Sequence, residues 1–329
     1  MTDSKDQETA TVIEYSPANI LHPISVENLL TLELPERKRL LPWLPEGGQI
    51  MVVGKQGIGK TYFTLGLATA LATGQPFLKW EAGEPAGVLL VDGEMALSVL
   101  RERIMRMLPG ETPAPIDVVS HQIVWAETER DINLGIAEWQ NAIHAYLAAH
   151  PKIRVVILDN LSCLLPTVAE DKRDDWALKV APFLALFRRR GVAVVLVHHT
   201  GKGGGQRGTS SREDALDTSI ILEEPPNYDP AEGAQFIVRF TKSRGCFGDD
   251  VSEFEACLTT DMDGLPSWSW KSVEMSTDDR LLVLVRDGIE SVTEAAEEMD
   301  MRKGTISKAK KRLQKKGILQ PGMLLKMAG

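Results

Sequence analysis

The stretch QIMVVGKQGIGKTYFTLGLATALATG, residues 49–74, leaves the chain little choice in how it folds around it. QIMVVG (49–54) is a short uninterrupted apolar run, the pattern of a strand buried on both faces. KTYFTLGLATALATG (60–74) reads as an amphipathic helix ended by Gly74. Between them, GKQGIGKT (54–61) matches G-x-x-x-x-G-K-[ST]. Gly54, Gly57 and Gly59 let the backbone turn tightly, so that its N–H groups converge on phosphate oxygens, and the helix N-terminus adds partial positive charge. Lys60 is suited to neutralise the β- and γ-phosphates, and Thr61 to offer its hydroxyl to Mg²⁺. The expected ligands are ATP and Mg²⁺, held by Gly54, Lys55, Gln56, Gly57, Ile58, Gly59, Lys60, Thr61 and Tyr62.

Such a loop needs a metal-side carboxylate at the end of a neighbouring strand. VVILDN supplies Asp159 after four apolar residues. GVLLVDGE (87–94) brings Asp92 and Glu94 to the end of another strand, where a carboxylate deprotonates the attacking water. Glu94 is preferred because it lies farther beyond the strand, with Asp92 as the alternative. LSVLRERIMRML (97–108) is a second helix, QIVWA (122–126) a third strand, and a helix is expected near 135–149. IRVVILDN (153–160) and VAVVLVHH (192–199) are further strands, separated by a helix near 174–189. Uninterrupted apolar strands alternating with helices define an α/β class, a mostly parallel sheet covered on both faces.

The flanks differ. PERKRLLPWLPEGG (35–48) reads as a lead-in without regular structure, after an N-terminal arm over 1–34. Past residue 215, TSIILEE, QFIVRFTKSRG, SEFEACLTT and SWSWKSV are shorter and more alternating, and are expected to extend the sheet in antiparallel fashion. The core is expected to span 35–273, with EMSTDD (274–279) as linker to a small helical domain over 280–329.

This ordered set resembles the RecA/DnaB-type ATPase core, and most of all the RepA-type group of plasmid and phage hexameric DNA helicases. The resemblance rests on LPEGGQIMVVGKQGIGKT, GVLLVDGEM, VVILDNLS, VLVHHTGKGGGQRGTSSREDALD and FTKSRG, over roughly residues 35–250. It implies a RecA-like fold in which Lys60 and Thr61 hold nucleotide and metal, Glu94 is the base and Asp159 the metal-side acid. It further implies that His199 senses the γ-phosphate, and that Lys242 and Arg244 reach a neighbouring subunit's ATP in a homo-oligomeric ring, a hexamer in that group. The loops after Asp159 and His199 would then face the ring's centre. The second of them, GKGGGQRGTSSRED, carries Lys202, Arg207 and Arg212 for sequence-independent contact with DNA phosphates.

Charge is segregated along the chain. The net charge is −9, yet residues 301–329 hold nine Lys or Arg and no acid, so the preceding residues carry −18. There RLLVLVRDG (280–288), SVTEAAEEMD with Ser291 or Thr293 as N-cap, and TISKAKKRLQKKG read as three helices. Ile306, Ala309 and Leu313 give the third an apolar face; Lys308, Lys311, Arg312 and Lys315 fall mostly on the other. With ILQPGMLLKM as a β-wing, this is expected to be a winged helix-turn-helix that engages duplex DNA. The polar, acidic N-terminus, the three cysteines without metal spacing and the lack of a membrane-length apolar run point to a cytoplasmic protein with no membrane partner. The expected activity is ATP-driven DNA translocation or unwinding in plasmid, phage or mobile-element replication. The alternative is an ATP-switched DNA-binding adaptor, a loader or recombination factor, that does not unwind.

Overall fold

The computed structural model describes residues 21–34, 36–108, 110–168, 173–200, 215–225, 228, 233–260, 265–273, 277–315 and 317–319. The chain divides after Lys38. In the first unit, helix α1 (Val26–Thr31) starts at Ser25, whose hydroxyl accepts from the Asn28 N–H, and Val26 and Leu30 are exposed on it.

The second unit is built on a nine-stranded sheet. Its strands are β3 (Gln49–Gly54), β4 (Gly87–Asp92), β5 (Ile116–Ser120), β6 (Ile153–Asp159), β7 (Ala193–His199), β8 (Thr218–Glu223), β9 (Gln235–Ser243), β10 (Phe254–Thr260) and β11 (Pro266–Ser272). They run in the order β11-β10-β9-β8-β3-β7-β6-β4-β5. From β8 to β5 every pairing is parallel, and β9, β10 and β11 add on antiparallel. Four of these strands, β3, β4, β6 and β7, are buried on both faces, which explains their uninterrupted apolar runs. Along β3, Ile50 and Val52 enter one core while Met51 and Val53 enter the other; along β6, Val155 and Ile157 part from Val156 and Leu158 in the same way. Helices α2 (Lys60–Thr73) and α3 (Leu97–Met107) cover the first face. The second is covered by α5 (Ala137–Ala149) and by α8 (Ala181–Arg189), which continues α7 (Arg173–Asp175) through a π-helical turn at Trp176–Val180.

Three expectations are corrected here. QIVWA is not a strand but lies in helix α4 (His121–Thr128), with Ile123 and Trp125 exposed. The place beside β4 is taken by Ile116–Ser120, paired from Val88↔Ile116 to Asp92↔Ser120, and a short apolar run does not by itself distinguish the two. TSIILEE is parallel rather than antiparallel, because the chain between His199 and Thr218 is long enough for the crossover that a parallel partner of β3 requires. The lead-in is not irregular: β1 (Arg39–Leu41) and β2 (Leu44–Pro45) pair and bury Leu40, Leu41, Trp43 and Leu44.

Aromatic rings fill the space under α2. Trp43 and Trp80 meet edge to face at 5.3 Å, and Phe63, Phe77, Phe236 and Trp268 continue the contact. Gly66 lets α2 approach this layer, since a Cβ there would stand 2.5 Å from Trp268 Nε1 and 2.7 Å from Phe77 Cε2. Overpacking of this kind costs about 1–3 kcal/mol, more than the ~1 kcal/mol that alanine gains over glycine in a helix. Gly66→Ala therefore lowers the melting temperature, which a thermal scan reads directly.

Beyond β11, α9 (Thr277–Arg286), α10 (Val292–Glu298) and α11 (Lys303–Lys315) surround a core of Leu281, Val292, Ala295, Ile306, Ala309 and Leu313. Thr277 to Asp279 of the expected linker thus already belong to a helix. Ser291 caps α10 by accepting from the Glu294 N–H at 3.0 Å. The expected wing lies almost wholly outside the described residues.

Candidate functional site

Parallel strands place their C-terminal ends on one side, and the loops that follow them meet there. The loop after β3 opens α2 at Gly59, whose φ of 106° is left-handed and which supplies no side-chain cap. The first-turn N–H groups of α2 are therefore open to a ligand. Gly59 is also tight for space, because a Cβ would meet Ala234 Cβ at 2.8 Å.

A cavity of about 610 Å³ lies over this turn. Gln56, Gly57, Gly59, Lys60, Thr61 and Tyr62 line it from the loop, with Asp92, Glu94, Asp159 and His199 opposite. Three other expected nucleotide residues sit differently. Gly54 contributes its carbonyl to Lys60, Lys55 pairs with Glu224 at 2.8 Å, and Ile58 is buried beneath the loop.

Lys60 donates to Gly54 O at 2.8 Å and Lys55 O at 2.9 Å, and lies 3.0 Å from His199 Nδ1. Burial pushes its amine down to about 8, against the pull of Asp159 and Glu94. The other ring nitrogen of His199, Nε2, is 3.8 Å from Glu94 Oε2. Lys60 and Glu94 thus flank one imidazole.

Thr61 donates to Asp159 Oδ2 at 2.9 Å. Burial pushes the Asp159 carboxyl up to about 6; the Thr61 bond and Lys60 lower it, and Asp92 and Glu94 raise it. Among the described residues, no cluster of three or more His, Cys, Asp or Glu is placed to hold a metal alone. A hydroxyl and a carboxylate do fit Mg²⁺, which takes hard oxygen ligands and completes its shell with phosphates and water. Bound there, the cation would neutralise phosphate charge, and its field would return Asp159 to its anionic form.

The two candidate bases are in different settings. Asp92 is 2% exposed and turns back to accept from the Met95 N–H at 3.1 Å, with His121 Nδ1 3.5 Å away. The Glu94 side chain is 49% exposed and stands at the cavity.

Several lining residues escaped the sequence reading. Asn160, directly after Asp159, donates from Nδ2 to Glu94 Oε2 and lies 3.1 Å from His199 Nε2. Its signal was present, since LDN places a polar side chain at the same strand end. Arg103 sits over the Tyr62 ring at 4.5 Å, and Tyr228 and Ala234 reach the cavity from beyond β8 with nothing in the local pattern to mark them.

The remaining expected residues lie elsewhere. Lys242 faces Ser219 across the β8–β9 ladder, and the Arg244 N–H donates to Asp217 O at 2.8 Å just past β9; neither lines this chain's cavity. Lys202, Arg207 and Arg212 fall outside the described residues. Lys308, Lys311 and Lys315 are exposed on α11. Arg312 is exposed there too, but its guanidinium is engaged by Asp278 of α9, with Nε 3.1 Å from Oδ1.

A mostly parallel sheet with a glycine-rich turn at the start of α2, a lysine, a hydroxyl beside a strand-end carboxylate and a second acid over the cavity defines a P-loop ATPase domain. The chain belongs to the AAA domain family AAA_25, whose model matches residues 16–205, from before the phosphate loop through β7. No curated protein matches it. No helix among the described residues is long and apolar enough to cross a membrane.

Proposed function

We propose that this ATPase is a ring-forming DNA motor of the RepA-type helicase group, acting in plasmid, phage or mobile-element replication. The observation that carries the reading is the position of His199. Its imidazole touches the phosphate-loop lysine at 3.0 Å, and the chain leaves it directly for the basic glycine-rich loop. A change at the γ-phosphate is thus transmitted to the loop suited to DNA phosphates within a few residues. Lys242 and Arg244, outside their own subunit's cavity, are the cations for a neighbour's ATP, which makes a homo-oligomer necessary for full activity. Strand displacement on a forked duplex with ATP and Mg²⁺ tests this directly; tight duplex binding without displacement overturns it.

The second reading, an ATP-switched DNA-binding adaptor, draws on α9–α11. Three helices with their own core present Lys308, Lys311 and Lys315 on an exposed face. Under either reading Lys308→Ala with Lys311→Ala weakens duplex binding. Each lost phosphate contact reduces the slope of log K against log [salt] by about 0.9, so a titration series registers a decrease near two such steps. An unchanged slope assigns α11 to a protein partner instead.

A further inference from the structure

Glu94 is carried on a turn, residues 93–96, between the end of β4 and the start of α3. The near end of the turn is fixed by β6 and by Asp92. The Gly93 N–H donates to Asp159 O at 2.8 Å, and the Met95 N–H donates to Asp92 Oδ2 at 3.1 Å. Gly93 also passes tightly under α6 (Leu161–Leu164), where a Cβ would meet Leu164 Cδ2 at 2.9 Å. The far end is held differently. Ala96, the N-cap of α3, supplies no side-chain cap to the open N–H groups of the first helical turn. The acceptor comes from another element: Gln122 Oε1 takes the Leu97 N–H at 2.7 Å, across 25 residues of chain.

The sheet puts Gln122 in that place. β5 runs parallel to β4 with Ser120 beside Asp92, so α4, which starts at the next residue, opens alongside the turn. His121, its first residue, has Nδ1 3.5 Å from Asp92 Oδ2, and Gln122 follows. Gln122 is exposed and stands outside the residues that line the cavity. We propose that Gln122 is a positioning residue for ATP hydrolysis: by capping α3 from α4 it fixes the turn that aims Glu94 at the attacking water. The inference rests on the assignment of Glu94 as the base and is independent of ring formation and of DNA. A misplacement of about 1 Å at a reacting group costs up to about 10²-fold in rate. With the near end still tied to β6, freeing the far end is expected to cost about tenfold.

The test is steady-state ATP hydrolysis by the full chain with Mg²⁺, comparing Gln122→Ala, Gln122→Glu and Glu94→Gln. Gln122→Ala removes the acceptor from an exposed position and leaves both cores untouched. Gln122→Glu keeps an acceptor of the same reach, and its charge suits a helix N-terminus. The expected result is a kcat about tenfold lower in Gln122→Ala, with KM and binding of a fluorescent ATP analogue unchanged, and a kcat near wild type in Gln122→Glu. Added to Glu94→Gln, Gln122→Ala is expected to have no further effect, because no base is left to misplace. An unchanged kcat in Gln122→Ala, a loss that Gln122→Glu does not recover, or a full additional loss on top of Glu94→Gln overturns the inference. Analogue binding checks that the variant is folded, and Gln122→Leu serves if Gln122→Ala is not. A mild Glu94→Gln overturns the choice of base instead; the kcat lost in Gln122→Ala and recovered in Gln122→Glu still decides whether Gln122 holds the turn.

Discussion

Glu94→Gln lowers kcat for ATP hydrolysis by about 10²–10⁴-fold, the usual contribution of a positioned general base, while nucleotide affinity stays close to its original value. The amide has the shape of the carboxylate and still accepts from Asn160 Nδ2, so the surroundings are preserved. What it lacks is the ability to take a proton from water. Phosphate release and binding of a fluorescent ATP analogue separate the two quantities. Asp92→Asn is the comparison that gives the result its meaning. Asparagine at 92 still accepts from the Met95 N–H and keeps the turn that carries Glu94, so its effect is expected to be much smaller. Should Asp92→Asn be the damaging change and Glu94→Gln the mild one, the buried acid is the base.

Arg244→Ala lowers kcat by about 10³-fold or more, the scale of an arginine finger supplied in trans. Arg244 lies just past β9 and does not line its own subunit's cavity, which the stretch between β8 and β9 reaches through Tyr228, Gly233 and Ala234. An effect of this size therefore requires that a second copy present it. Mixing Arg244→Ala with Lys60→Ala subunits tests the arrangement, because each lacks a different half of a composite site. Activity that reappears on mixing, at interfaces joining an intact loop to an intact arginine, is the expected outcome. Mixtures no more active than their components, with Arg244→Ala alone near wild type, show that each subunit works alone.

How much of this was legible beforehand differs by element. The phosphate loop was readable because its requirements are local: glycines for the turn, then Lys60 and Thr61 at fixed offsets on one helix start. The strands β3, β4, β6 and β7 were readable because burial on both faces leaves an uninterrupted apolar run. QIVWA shows where this stops, since five apolar-rich residues suit an edge strand or a surface helix equally. The choice between them was made by what already paired with β4. TSIILEE likewise carries no mark of its direction, which depends on the crossover before it. Arg312 read as one more cation on a basic helix, and only the packing of α9 brings Asp278 to it.

The sequence by itself determined that a phosphate loop sits between a buried strand and a helix in an α/β sheet, because those signals are carried by residues a few positions apart. It also determined which acids and histidine end the neighbouring strands. Tertiary structure alone decided how they act on one another: that Lys60 meets His199, that Thr61 meets Asp159, and that Asn160 holds Glu94. These pairs are separated by 139, 98 and 66 residues. Such contacts are set by the order of the strands in the sheet, which local pattern does not encode.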